Sequence, residues 1–314
     1  MKLSIVIPVY YNNEENLFSL YADIKEKIID KINYEYEIVM VNDGSRDQSW
    51  EIMRELAEKD SHIHIISLSR NFGSHAAILC GLCNSTGDCA VVKAADLQEP
   101  TELILEMVES WKKGNNVVLA VREGRQESPK QTFFANLYYS LVRKCALPNM
   151  PKGGFDVYLV DKRVITVLQN LDEKNSALTG QILWSGFKTD VIYYTRLART
   201  AGKSRWTLKK KIRLVMDTLF SFSSLPITAV LGVGTFSIAV AVIWAIVVLI
   251  AKISGHIAVS GWTTLFIFNL FSFGIIMMTL GILGEYLWRT FDASRKRPAY
   301  IIEEDGISPE ERKE

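Results

Sequence analysis

The sequence has little of what a metal cluster or a disulfide framework would need. It holds four cysteines, Cys80, Cys83, Cys89 and Cys145, and four histidines in 314 residues. A second CxxC and a histidine at zinc-finger spacing are both missing, so the cysteines are expected to be buried, reduced thiols. Glycine (19) and proline (8) are too few for a collagen-like repeat, and a 48% hydrophobic composition excludes wholesale disorder. The N-terminus, MKLSIVIPVYYNNEEN, lacks an apolar run long enough for a signal peptide. The scarcest property is local: between Pro226 and Trp288 the only formal charges are Lys252 and Glu285, whereas the other 251 residues carry 69. The near-neutral average of net +1 thus joins a polar body to an apolar appendage.

Residues 226–251 and 261–284 are uncharged, and each is long enough to cross a hydrocarbon core, which needs roughly 20 helical residues. The loop between them, KISGHIAVS, is nearly uncharged. The outer flanks hold Arg205, Lys209, Lys210, Lys211 and Arg213 on one side and Arg289, Arg295, Lys296 and Arg297 on the other. The positive-inside rule places both flanks in the cytoplasm. Residues 196–213 hold eight basic and no acidic side chains. Leu208, Ile212, Val215 and Leu219 form one helical stripe beside them, which reads either as an interfacial helix on anionic lipid or as a helix packed on the polar body.

The first 125 residues alternate short apolar runs (SIVIPVY, EYEIVMVND, HIHIISLS, CAVVKAAD) with longer amphipathic stretches. Continuous apolar strands suit a parallel sheet buried on both faces, hence a doubly wound α/β fold. Ligands bind such sheets at the carboxyl ends of the strands, here Pro8 to Glu15, Asn42 to Asp47, Ser69 to Gly73 and Asp96 to Pro100. Asp43, in VNDGSRD, suits either a base or ribose edge or a helix-initiating turn. Asp96 and Gln98 alternate at a strand end; two oxygens of this kind with diphosphate and water suit Mg2+ or Mn2+, and a capped loop is the structural alternative.

The succession IVIPVYYNNEENL, VNDGSRDQS, LSRNFGSHAAILCGL, ADLQEP, GGFDVYLVDKRV, RLARTAGKSRW and GILGEYLWRTFDASRKRP resembles the family 2 glycosyltransferases. Within them it is most similar to the GtrB-like and dolichol-phosphate-mannose-synthase-like polyprenyl-phosphate glycosyltransferases, over nearly the whole chain. The resemblance implies a GT-A, Rossmann-like catalytic domain over residues 1–200, a basic interfacial region over 201–224, a transmembrane helix pair over 225–288 and a cytoplasmic tail over 289–314. It implies transfer of a sugar, from a nucleotide donor that is commonly UDP-linked, to polyprenyl (undecaprenyl) phosphate on the cytoplasmic face of a bacterial inner membrane. The enzyme would be a homo-oligomer, tetrameric in the family, with no nucleic-acid partner.

Residue by residue, the resemblance places Pro8, Tyr10, Glu14 or Glu15, and Asp43 at the nucleoside, with Arg70, Asn71 and Gly73 beside it. Asp96 and Gln98 match the metal ligands of a DxDxQ segment, Arg122 and Arg125 neutralise phosphates, and Asp156 matches an active-site acid. Arg196, Arg199, Lys203, Ser204 and Arg205 face the lipid phosphate or the diphosphate. Three departures stand out. Ala94 replaces the first aspartate of DxDxQ, so that Asp96 and Gln98 either suffice or form a weakened site; PVYYNNEENL carries one extra residue; Arg205-Trp206 replaces a Lys-Tyr pair. With no paired nucleophile and acid evident, single-step inversion is expected; a lipid phosphate is already largely anionic near neutral pH and so needs no general base. A processive polysaccharide synthase and a non-catalytic membrane scaffold are the alternatives.

Overall fold

A computed structural model describes the backbone of residues 1–11, 14–123, 139–171, 173, 176–195, 208–254 and 261–306, with side chains except at 14–15, 208–214, 245, 248–249, 251–252, 262–264, 266–267 and 270. It has two units: Met1–Thr218 with Pro298–Glu314, and Leu219–Arg297.

The first unit is built on eight strands: β1 (Lys2–Val9), β2 (Glu35–Asn42), β3 (Ile63–Leu68), β4 (Cys89–Val92), β5 (Val117–Arg122), β6 (Val157–Asp161), β7 (Thr189–Tyr194) and β8 (Ile302–Gly306). They form one sheet in the order β7-β5-β6-β4-β1-β2-β3-β8. In β1 every residue from Leu3 to Ile7 is buried, and in β2 every residue from Glu37 to Asn42. Strands of that kind need helices on both faces. The helices of this unit include α1 (Glu14–Lys27), α2 (Ser49–Lys59), α3 (Ser74–Cys83), α4 (Leu103–Lys112), α5 (Lys162–Asn170) and α6 (Leu178–Trp184). Met53 and Leu56 of α2 and Ile104, Met107 and Val108 of α4 turn into the core.

The pairing is parallel through β4, β1, β2 and β3, with Lys2 opposite Glu35 and Val9 opposite Asn42. The sheet is not parallel throughout. β6 runs antiparallel to both β4 and β5, while β5 and β7 are parallel to each other. β8, from the polar tail, pairs antiparallel with β3. Arg54 Nη2 to Glu304 Oε1 (2.5 Å) and His64 Nε2 to Asp305 Oδ1 (2.6 Å) fasten it. Its sequence, IEEDG, is short and acidic, without the alternation that announces a strand.

In the second unit, α8 (Leu225–Ile253) and α9 (Trp262–Ser294) run 29 and 33 residues. Each contains a span long and apolar enough to cross a membrane, Leu225–Trp244 and Phe271–Ser294, and neither span's apolar window is buried. Leu231, Phe236, Ile238 and Leu287 are each about two-thirds exposed or more, a surface that suits hydrocarbon far better than water. Near the end of α9, Arg289 donates to Glu285 one turn earlier (2.9 Å). Before them, α7 (Leu208–Phe222) covers the basic, striped segment and bridges the two units in sequence.

At the edge of the sheet where the parallel strands begin, Glu37 is buried beneath a cluster of donors. Ser4 Oγ (2.5 Å), Thr86 N (2.6 Å), Thr86 Oγ1 (2.6 Å) and Lys2 Nζ (2.9 Å) all meet its carboxylate. Burial pushes the Glu37 pKa upward, but the hydrogen bonds outweigh it and hold the acid below its ordinary 4.5. A depressed folded pKa contributes stability above the unfolded value and loses it as pH falls through the folded one. Glu37→Gln is therefore expected to cost about 1–3 kcal/mol at neutral pH, with the difference from wild type shrinking as pH drops below 4.5, read by thermal unfolding in detergent.

Candidate active site

The parallel strands deliver their polar residues to one edge of the sheet. Pro8 and Val9 end β1, and Tyr10 and Tyr11 follow, their rings edge to face at 4.8 Å. Tyr11 takes a left-handed φ of 30°, uncommon for a bulky residue, and its N–H donates to Ser45 Oγ (3.2 Å). This bend falls in the stretch with one residue too many. Glu14 and Glu15 open α1, but the choice between their side chains lies outside the described residues.

At the end of β2, Asp43 is 2% exposed. Its carboxylate accepts from Phe72 N (2.7 Å), Gly73 N (3.0 Å) and Asn71 Nδ2 (3.0 Å). The helix-initiating reading of Asp43 thus takes a long-range form: it organises the turn that starts α3. Gly44 makes the approach possible, with φ 67° and a position where a Cβ would lie 2.5 Å from the Arg70 carbonyl carbon. Arg70 is exposed, its guanidinium 4.0 Å from the centre of the Phe72 ring. Arg70, Asn71, Gly73, Asp43 and the Tyr10 turn therefore form one cluster across β1, β2 and β3.

After β4 the chain turns sharply. Leu97 has φ 55°, and Gln98 N donates to Asp96 Oδ1 (3.3 Å), so both oxygen-bearing side chains belong to one turn. Beneath it lies Lys93, 1% exposed, whose Nζ donates to Glu99 O (2.5 Å) and stands 3.8 Å from Glu99 Oε2. Burial lowers the Lys93 pKa against the opposing charges of Glu99, Asp23 and Asp96. Sequence reasoning passed over this lysine, although a cation inside VVKAAD was a visible signal. Among the described residues no three His, Cys, Asp or Glu side chains gather into a metal cage. One carboxylate and one amide oxygen on a turn fit a hard cation that draws its remaining ligands from phosphates and water.

The third cluster depends on strand direction. Because β6 runs against its neighbours, its first residues, not its last, lie at the carboxyl edge, and Asp156 immediately precedes it. Gly153 (φ 87°) and Gly154 (φ 72°) shape the approach, and a Cβ on Gly154 would overlap the Tyr139 ring at 2.4 Å. Asp156 Oδ2 then meets Arg122 Nε and Nη2 of β5, both at 2.5 Å. Tyr194, last in β7, is the register partner of Arg122. It is a buried residue that the sequence did not single out: DVIYYT is an ordinary strand run. Arg125, Arg196, Arg199, Lys203, Ser204 and Arg205 lie outside the described residues.

The α/β sheet thus gathers acidic, amide and guanidinium groups at the carboxyl edge of its parallel strands. Residues 4–225 match the model of glycosyl transferase family 2, and the chain belongs to that family. Its GT-A fold is the α/β sheet described above. Among curated proteins it is similar to the uncharacterized glycosyltransferase YkcC of Bacillus subtilis (38% identity, covering 96% of this chain and 94% of that one). It is also similar to the prophage bactoprenol glucosyl transferase homolog of Escherichia coli (34% identity, covering 96% and 98%). A solved complex of glucosyl-3-phosphoglycerate synthase from Mycobacterium tuberculosis with Mn2+, UDP and phosphoglyceric acid superposes with a TM-score of 0.47, at 16% identity over 70% of this chain and 78% of that one.

Gly44→Ala forces both a clash and a strained φ at the junction of two site loops, so a loss of about 2 kcal/mol or more is expected, measured as a lower Tm.

Proposed function

We propose that the protein transfers a sugar from a nucleoside diphosphate donor to polyprenyl phosphate at a membrane surface. The observation that carries this reading is that the similarity to the bactoprenol glucosyl transferase homolog runs through both the catalytic domain and the apolar helices, over 96% of the chain. A membrane-borne acceptor gives the two long exposed helices a purpose that a soluble acceptor would not. UDP-glucose is the donor to try first.

The chemistry follows from charge. A phosphate oxygen of the lipid attacks the anomeric carbon, the bond from that carbon to the diphosphate breaks, and the electron pair leaves with the diphosphate, inverting the centre. The attacking phosphate is already largely anionic, with a second pKa near 6, so no side chain need remove its proton. Asp96 and Gln98 would hold a divalent cation, Mg2+ or Mn2+, which would supply positive charge to neutralise the diphosphate. Arg122 adds a fork of donors to the same oxygens. Asp156 faces the sugar and lipid phosphate side as a positioning charge, while Asp43 holds the Arg70–Gly73 turn beside the nucleoside. Arg125 and the basic segment with Arg196, Arg199, Lys203, Ser204 and Arg205 supply further cationic groups near the lipid.

For topology, we place the catalytic unit and both termini in the cytoplasm of a bacterial inner membrane. The chain leaves the first unit at Thr218 and returns to it at Pro298, where β8 rejoins the sheet. Two crossings bring it back to the side it left, and the basic residues around Arg295 agree. A homo-oligomer, tetrameric as in the family, completes the reading.

The test is transfer from labelled UDP-glucose to undecaprenyl phosphate in micelles. One lipid-linked product is expected; a ladder of long products would indicate a processive synthase, and no product under any donor or metal a scaffold. Asp96→Ala and excess chelator should each lower transfer about 100-fold or more, and Asp156→Asn by a similar factor. Full activity of Asp96→Ala would remove the cation from the mechanism.

A further inference from the structure

Tyr194 is 5% exposed, and its hydroxyl is fully buried beside the Arg122 guanidinium, which can only donate, so the phenol proton has no acceptor among the described residues. A phenol of this kind normally finds a partner, because an unmet buried donor costs stability. Its place makes the exception informative. Tyr194 ends β7 directly beside Arg122 of β5, and its oxygen lies within the fields of Arg122, Asp156 and Glu99. Arg122 is meanwhile committed to Asp156, at 2.5 Å from two of its nitrogens.

That ion pair cannot persist unchanged if Arg122 turns to the diphosphate. Asp156 would then lose its two charge-assisted hydrogen bonds at the moment its position matters, and a loosely held carboxylate is a poor positioning group. We propose that Tyr194 is a positioning residue, whose hydroxyl takes over as hydrogen-bond donor to Asp156 when the donor diphosphate draws Arg122 away. The pair and the phenol then work as a relay: Arg122 holds Asp156 in the empty site and Tyr194 holds it in the loaded one. Burial, followed by the charges of Asp156 and Glu99, raises the Tyr194 pKa, so the phenol keeps its proton and remains a donor throughout the neutral range. The inference rests on the glycosyl transfer proposed above.

The experiment is Tyr194→Phe in the full-length protein in micelles, assayed with UDP-glucose and undecaprenyl phosphate. Removing a hydroxyl whose proton has no acceptor should leave Tm close to that of the wild type, leave KM for UDP-glucose within about twofold, and lower kcat about 10- to 100-fold, the worth of a hydrogen bond to a charged group. In an Asp156→Asn background the same substitution should have little further effect. A normal kcat in Tyr194→Phe, a loss that multiplies fully with that of Asp156→Asn, or a lowered Tm marking a structural hydroxyl would each overturn the relay while leaving the transferase reading intact. A wild-type protein that transfers no sugar would overturn both.

Discussion

An antiparallel strand between parallel neighbours sets the geometry of the third cluster. If β6 ran with β4 and β5, Asp156 would sit at the opposite edge of the sheet, where Glu37 and its donors are. Reversed, β6 brings the carboxylate to the edge where Arg122 and Tyr194 end. Two left-handed glycines then let the chain enter β6 beside Tyr139. The Arg122–Asp156 pair is only partly shielded, with side chains 24% and 43% exposed, so its worth as a stabilising bridge is small. It matters as an arrangement of charge, with a cation and an anion held side by side over a buried phenol.

The turn after β4 shows a different solution to the same problem. Where the family pattern has a second carboxylate, this chain has Ala94, and just before it a buried ammonium, Lys93. That lysine is satisfied by the Glu99 carbonyl and carboxylate, which fixes both ends of the turn carrying Asp96 and Gln98. A buried charge held this way costs desolvation, and removing either partner would be worse than the pair itself. The turn is therefore tied at both ends by internal pairing.

The first cluster is organised by Asp43. Its carboxylate accepts from three groups of the 71–73 turn, and Gly44 lets that turn come within contact distance. The result places the start of α3, the Arg70 guanidinium and the Tyr10 turn on one side of the sheet edge. At the far end of the sheet, β8 covers the outer edge of β3 and so closes a row of unpaired backbone groups.

Much of this was legible beforehand. Apolar runs such as IVIPV and EIVMV read as doubly buried strands, the charge desert from Pro226 to Trp288 read as two membrane-long helices, and the motif residues carried the family resemblance. Less legible were Lys93, Tyr194 and β8, for a common reason: each depends on a neighbour distant in sequence. A tyrosine in DVIYYT looks the same whether it faces solvent or Asp156, and IEEDG becomes a strand only because β3 offers an edge. Local composition and periodicity, being properties of adjacent residues, determined most of the strands and the long helices, and the motif residues carried the family resemblance. Strand direction, the Arg122–Asp156–Tyr194 grouping and the return of the tail to the sheet were decided by tertiary structure alone, since hydrogen-bond registers and burial arise only when remote segments meet.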